Sequence, residues 1–279
     1  MAYRYNKYGG PRTFICADGP KEDTGNALAA TSDGGSIVVG RTKSFGAGGS
    51  DIWLLKLTSG CEIQWQYTYG DAGEDSAFDV RQTSDGGFVL LGQTDSFGAG
   101  QGDIWVLKLD KDGKPEWQRT YGGRKADYAH AILQTRDGGY VVGGTTYSFG
   151  SGKADAWVFK LDAKGAIAWQ MCYGGKDYDG VWSIQELSGA AGGYIAAGRT
   201  RSFGAGGDDA LVLKLKSDGS IDPSCGSFLR PSEASVGRSA IRGLSTQVEA
   251  PGKGNPMLEV NLKAAENYAR TGRTVICKK

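Results

Sequence analysis

One unit of about 52 residues recurs four times along this chain, and a chain built that way folds as stacked copies of a small module rather than around one irregular core. Asp-Gly-Gly begins at Asp33, Asp85 and Asp137, with a degraded Ala-Gly-Gly at Ala191, giving steps of 52, 52 and 54. Ser-Phe-Gly recurs around Phe45, Phe97, Phe149 and Phe203 at the same steps. Two carboxylates also keep time, one as Asp51, Asp103, Asp155 and Asp209, the other as Asp23, Asp75, Asp127 and Asp179. The second set is 52 apart throughout, which confines the two-residue insertion of the fourth copy to its Leu-Ser-Gly-Ala-Ala-Gly-Gly turn. Trp65, Trp117 and Trp169 close the units, each followed by the Tyr-Gly of Tyr69, Tyr121 or Tyr173.

Inside one unit the pattern predicts four short strands: SAFDVRQ, FVLLGQT, DIWVLKL and PEWQRTY. Asp-Gly turns between β-rich runs are strong hairpin signals, because glycine takes positive φ at little steric cost. Short connections make the strands antiparallel neighbours, and four such strands in about 50 residues, repeated, are what a β-propeller blade requires. In the first strand Ala77 and Asp79 alternate with Phe78 and Val80, so small residues are expected to line the crowded centre. Solenoid repeats are usually shorter, and 52 residues make a cramped sandwich.

The expected architecture is therefore all-β, a single propeller domain over residues 1–279. Its clear repeats span 23–70, 75–122, 127–174 and 179–228, and residues 229–279 form a divergent fifth blade or tail. Strands are read there at ASVGRSAIRG, MLEVNLK and RTVICK, with KAAENYARTG as an alternative short helix. At the other end, Tyr8-Gly9-Gly10 matches the close of a unit, so residues 1–10 are expected to close the ring as an outer strand on the last blade.

Composition narrows the function classes. The 32 Lys and Arg nearly balance the 31 Asp and Glu, so no global field draws the chain to nucleic acid or an anionic membrane. No run of about 18 apolar residues reads as a membrane span, and MAYRYNKYGG lacks the apolar core of a signal peptide. Cys16, Cys61, Cys172, Cys225 and Cys277 form no C-x-x-C pair, which argues against a thiolate zinc site. No P-loop or dinucleotide fingerprint occurs, and no nucleotide or other cofactor is expected.

The combination "YGG...D.A...T.DGG..V.G.T.SFG.G..D.W.LKLD..G...WQ" resembles the repeats of secreted bacterial and archaeal β-propeller proteins, many of them surface-attached. The resemblance covers about 200 residues and implies the fold; of activity it says nothing. It implies an extracytoplasmic setting, with a cytoplasmic one as the alternative, and a Cys225–Cys277 disulfide, since similar proteins carry a Cys at the end of the last repeat and another closing a β tail. The tail here departs from that pattern in its Arg, Lys and Asn content. Thr83, Asp85 and Gly87 also resemble the first half of the Asp-box turn of sialidase-like propellers, itself a structural hairpin.

Candidate sites fall on the end of the units formed by the SFGAG and YGG loops, where propellers commonly bind. Phe45, Phe97, Phe149 and Phe203 are placed to stack on sugar rings, with Arg41, Arg124, Arg199 and Arg201 beside them for acidic groups. The bland reading has each Phe wedged between blades and each Arg solvated, and the invariance of the Phe set favours the wedge. Asp23, Asp75, Asp127 and Asp179 offer oxygen ligands for Ca2+, although repeated loop carboxylates more often accept backbone N–H bonds. No catalytic residue is assigned. The single histidine, His130, occupies a column filled elsewhere by Asn26, Phe78 and Trp182, and with Tyr128 and Trp182 it is the least implausible centre for an enzyme. The expected function is a non-catalytic, lectin-like binding or scaffold module for a glycan or protein partner. An enzyme with one asymmetric pocket and a structural subunit of a surface assembly are the alternatives.

Overall fold

Gly34, Gly86 and Gly138, the middle residues of the Asp-Gly-Gly turns, take φ of 80°, 84° and 83°, and each turn opens a hairpin. The computed structural model describes residues 19–189 and 192–221, plus the backbone of five short strands outside them. Two of these, β1 (Arg4–Tyr5) and β2 (Pro11–Arg12), form an antiparallel pair by themselves; the expected closing segment Tyr8–Gly10 lies outside the described residues. No helix occurs among the described residues.

Each of the first three repeats is an antiparallel sheet. The first holds β3 (Asp23–Ala30), β4 (Ser36–Thr42), β5 (Asp51–Leu57) and β6 (Ile63–Tyr69). The second holds β7 (Asp75–Gln82), β8 (Phe88–Thr94), β9 (Asp103–Leu109) and β10 (Pro115–Gly122). The third holds β11 (Asp127–Gln134), β12 (Tyr140–Thr146), β13 (Asp155–Leu161) and β14 (Ile167–Tyr173). The fourth has three described strands, β15 (Asp179–Glu186), β16 (Tyr194–Thr200) and β17 (Asp209–Leu215). These fifteen strands fall where the repeat predicts them.

The core lies between sheets. Ile37, Val39, Ile52 and Leu54 of the first sheet pack on Ala77, Val80, Leu90 and Leu107 of the second. Val89, Leu91, Ile104 and Val106 meet the third in the same way, and Val141, Ala156 and Val158 meet the fourth. Burying these aliphatic columns on both sides of each junction is what makes one sheet depend on the next. A phenol fastens each junction: Tyr69 Oη donates to the Gly113 carbonyl at 2.6 Å, Tyr121 to Gly165 at 2.6 Å and Tyr173 to Gly219 at 2.5 Å. The receiving glycines have φ of 80°, 76° and 81°, and a Cβ there would collide with Tyr67, Trp117 or Trp169. These turns therefore admit only glycine.

Within each of the first three sheets a lysine holds the Asp-Gly-Gly turn. The buried ammoniums of Lys56, Lys108 and Lys160 reach Asp33, Asp85 and Asp137 at 2.8, 2.9 and 3.0 Å. The fourth copy has Ala191 in place of the aspartate, and its Lys214 is exposed.

The remaining described strands do not form a sheet of their own. β18 (Leu229–Pro231) pairs with β14, β19 (Ser235–Gly237) with β10, and β20 (Leu244–Ser245) with β6, all antiparallel. After the fourth repeat the chain thus returns along the outer edges of the third, second and first sheets. That placement satisfies three otherwise open edges, and β19 falls inside ASVGRSAIRG, one of the strands expected in the divergent fifth blade or tail. The expected strands MLEVNLK and RTVICK, the alternative helix, and Cys225 and Cys277 lie outside the described residues.

Candidate functional site

At the loop end the repeated carboxylates are turn pins. Asp127 accepts hydrogen bonds from Thr146 Oγ1 at 2.5 Å, Ser148 Oγ at 2.7 Å and the Gly123 N–H at 2.8 Å, tying the Ser-Phe-Gly loop to the entrance of its inner strand. Asp23 accepts from Thr42, Ser44 and Gly19, while Asp75 and Asp179 accept from the serines Ser96 and Ser202. The second set holds the loop tip: Asp103 accepts from the Ala99 and Gly100 amides at 2.9 and 3.1 Å. Among the described residues no three His, Cys, Asp or Glu side chains converge as a metal set. The recurrence of both sets is explained by hydrogen bonding.

The phenylalanines are half-buried on tryptophan. Phe45 lies 5.8 Å from Trp53, Phe97 5.6 Å from Trp105 and Phe149 5.4 Å from Trp157, centroid to centroid. The tip of Phe149 also closes on Gly123, and that of Phe203 on Gly175, in the loops that lead from the preceding sheet into their own units. Phe97 and Phe149 thus pack against the cores of two junctions, the geometry of a wedge.

Inside this uniform frame the inner strands carry an irregularity that periodicity conceals. Their pairing with the second strand slips at one place in every copy: between Gly25 and Ala27, Ala77 and Asp79, Ala129 and Ala131, and Val181 and Ser183. The residue left out of the ladder is Asn26, Phe78, His130 or Trp182. A β-bulge adds a residue to one strand and re-aims its side chain. It also corrects the expected alternation, because beyond the bulge the facing inverts, and Ala77 and Val80 enter the same junction core.

The four bulge residues differ completely, and the columns around them vary. Thr24, Ser76, Tyr128 and Gly180 form one such column, Arg41, Gln93, Thr145 and Arg199 a second, and Lys43, Asp95, Tyr147 and Arg201 a third. Two cavities open here. One, of about 360 Å³, lies between the first and second sheets and is lined by Asn26, Arg41, Glu74, Phe78, Gln93 and Asp95 among others. The other, of about 260 Å³, follows the second, third and fourth inner strands past Phe78, Asp79, His130 and Trp182.

Their chemistry is unequal. Asn26 Nδ2 bridges to the second unit, donating to the Ala77 carbonyl at 2.9 Å. His130 stacks at 6.0 Å on Trp182, and burial, helped by Arg199, pushes its pKa below the ordinary value. Asp79 accepts the Ile132 N–H at 3.1 Å, and burial outweighs this bond and Arg81, raising its carboxyl. Arg41 pairs with Glu22 at 2.7 Å. Arg199 lies over the Trp182 ring at 5.2 Å, and Arg201 lies over Tyr178 at 5.6 Å while binding Asp208 at 2.6 Å. Arg124 stands exposed on the YGG loop, apart from both cavities.

Arg41, Arg199 and Arg201 thus share the rim with the bulge residues, whereas the phenylalanines belong to the frame beneath. Glu74, Gln93, Asp95, Tyr147 and Tyr178 were not singled out from sequence. The signal that finds them is difference between copies at positions next to identical ones. No protein-family model matches the chain, and no curated protein matches it.

Proposed function

We propose that the chain is a non-catalytic binding module on a β-propeller, its four sheets serving as blades. It works outside the cytoplasm and recognises a glycan through the rim at the SFGAG and YGG end. The observation that carries this reading is the segregation of change: the Phe and Asp sets that hold the loops are the same in every copy, while the bulge residues and most of their neighbours, which line much of the two cavities, vary. Stability needs the first set; a ligand gives the second a reason to differ. Four equal weak sites, expected from four equal loops, do not suit such unequal linings. One asymmetric surface does, with exposed rings for sugar faces and separate amide, carboxylate and guanidinium groups for hydroxyls.

A glycan array tests this with the Trp182→Ala and Phe97→Ala variants beside the parent chain. The expected result is a defined set of bound glycans, lost in Trp182→Ala at unchanged fold, with Phe97→Ala losing stability first. Absence of any glycan signal from the folded parent, or retention by Trp182→Ala, overturns the reading. Turnover of an array glycan that disappears in His130→Phe would favour the enzyme alternative.

A further inference from the structure

Cations and rings coincide at one part of the rim. Tyr147 sits 6.1 Å from Tyr128 and 6.3 Å from Tyr178, both edge to face. Lys153 Nζ lies over the Tyr178 ring at 5.2 Å, on a ring that Arg201 also covers, and Arg199 covers Trp182. Both guanidiniums are held over aromatic faces at the rim, where a planar acceptor can meet them.

One carboxylate already shows what this pair of arginines accepts. Asp208 takes bonds from Arg201 Nε at 2.6 Å and Nη2 at 3.1 Å, and stands 3.6 Å from Arg199 Nη1. Two guanidiniums around one carboxylate leave a positive charge over, and both arginines are more than 40% exposed. The first sheet supplies an internal control: Arg41 and Lys43 occupy the columns of Arg199 and Arg201 and share Glu22 at 2.7 and 3.2 Å, but the bulge residue there is Asn26 and, among the described residues, no aromatic ring lies under either cation. In the second sheet the same columns hold Gln93 and Asp95.

We propose that the rim of the third and fourth sheets binds an acidic saccharide, its carboxylate on Arg199 and Arg201 and its ring faces on Trp182 and Tyr178. The inference rests on the glycan reading above and narrows it to sugar acids of the uronate type. A carboxylate matches the planar fork of arginine with two parallel bonds. The neighbouring rings favour a saccharide over an extended acidic peptide, because they offer flat apolar faces with phenolic edges rather than a strand edge.

The experiment is a titration of the intact chain with oligogalacturonate and with its methyl ester, followed by tryptophan fluorescence and calorimetry. Polyglutamate and the ligands found on the array run as parallel arms. The acid form is expected to bind at least about tenfold more tightly than the ester, as the loss of charge-assisted bonds implies. Arg199→Gln and Arg201→Gln are each expected to cost about tenfold, and Arg41→Gln nothing, with the circular dichroism spectrum and Tm unchanged in all three. Should Arg199→Gln lower Tm, Arg199→Lys keeps the charge without the fork and is expected to lose a smaller part of the affinity. Equal binding of acid and ester, equal loss in Arg41→Gln, or equally tight binding of polyglutamate overturns the inference. If array glycans still bind while these results hold, the glycan reading survives alone; if no glycan binds, both fall.

Discussion

Val106 and Val212 occupy the same column of the repeat, yet Val106 is fully buried and Val212 is 58% exposed. On the opposite face of the sheets, Val80 is fully buried and its counterpart Leu28 is 70% exposed. The difference is one of position. Val106 and Val80 sit in junctions between sheets, whereas Val212 and Leu28 lie on the outer faces of the fourth and first sheets. An apolar column kept at both ends of an array is an interface half without its other half. Solenoids finish with polar caps; the described residues show none on these two faces, which is why a closed ring is the reading proposed for it.

The comparison can be broken by placing a charge in one column at two places. Val106→Asp puts an unpaired carboxylate into a dry junction and is expected to cost roughly 4 kcal/mol or more, read by urea unfolding. The ring reading expects Val212→Asp to cost several kcal/mol as well. A cost below about 1 kcal/mol would leave the outer face of the fourth sheet open and end that reading.

Smaller effects sharpen the picture of an interior junction. Tyr121→Phe removes the bond to the Gly165 carbonyl and is expected to cost about 1–2 kcal/mol in the same assay, because the acceptor stays buried.

The turn lysines give a paired test of about 1 kcal/mol: Lys108→Met loses the Asp85 and Glu116 bonds, while Lys214→Met changes stability by less than about 0.5 kcal/mol. Burial works against the Asp85 carboxyl, but the bonds from Thr83, Lys108 and Gly87 prevail and bring its pKa down to about 2 from 3.8. A carboxyl depressed on folding stabilises above its unfolded pKa. That contribution is therefore complete above about pH 4 and lost as pH falls toward 2; in Asp85→Asn this segment of the acid-unfolding curve should flatten.

The smallest expected effect concerns His130, the chain's single histidine. Burial lowers its folded pKa below 6.5, so protonation favours the unfolded chain. Stability is full above pH 6.5 and declines as pH falls through the folded value. His130→Phe, which copies the second sheet, should remove that slope, and an NMR titration placing the pKa at or above 6.5 would contradict the burial.

Much of this was legible in the letters. Strands β8 and β9 coincide with FVLLGQT and DIWVLKL because invariant turns bracket them, and the Asp-Gly-Gly glycines declare their positive φ. The bulges were not legible. A run such as Ala77-Phe78-Asp79-Val80 satisfies simple alternation, and only cross-strand register reveals that Phe78 stands outside the ladder. Of the edge strands, β19 falls inside the expected run ASVGRSAIRG, whereas β18 and β20 escaped for a different reason: two- or three-residue strands bonded along one edge need no periodic side chains, so they leave no pattern to read. Copy-to-copy variation at Arg41, Gln93, Thr145 and Arg199 was visible in the sequence, but its convergence on one rim required the fold.

The bulge has a consequence for how such a surface changes over generations. Its residue is excused from the pairing that holds the sheet, so asparagine, phenylalanine, histidine and tryptophan stand there without moving a neighbouring bond. A duplicated module with one exempt position per copy lets specificity drift while the scaffold stays still, and four such positions around a rim can be revised one at a time.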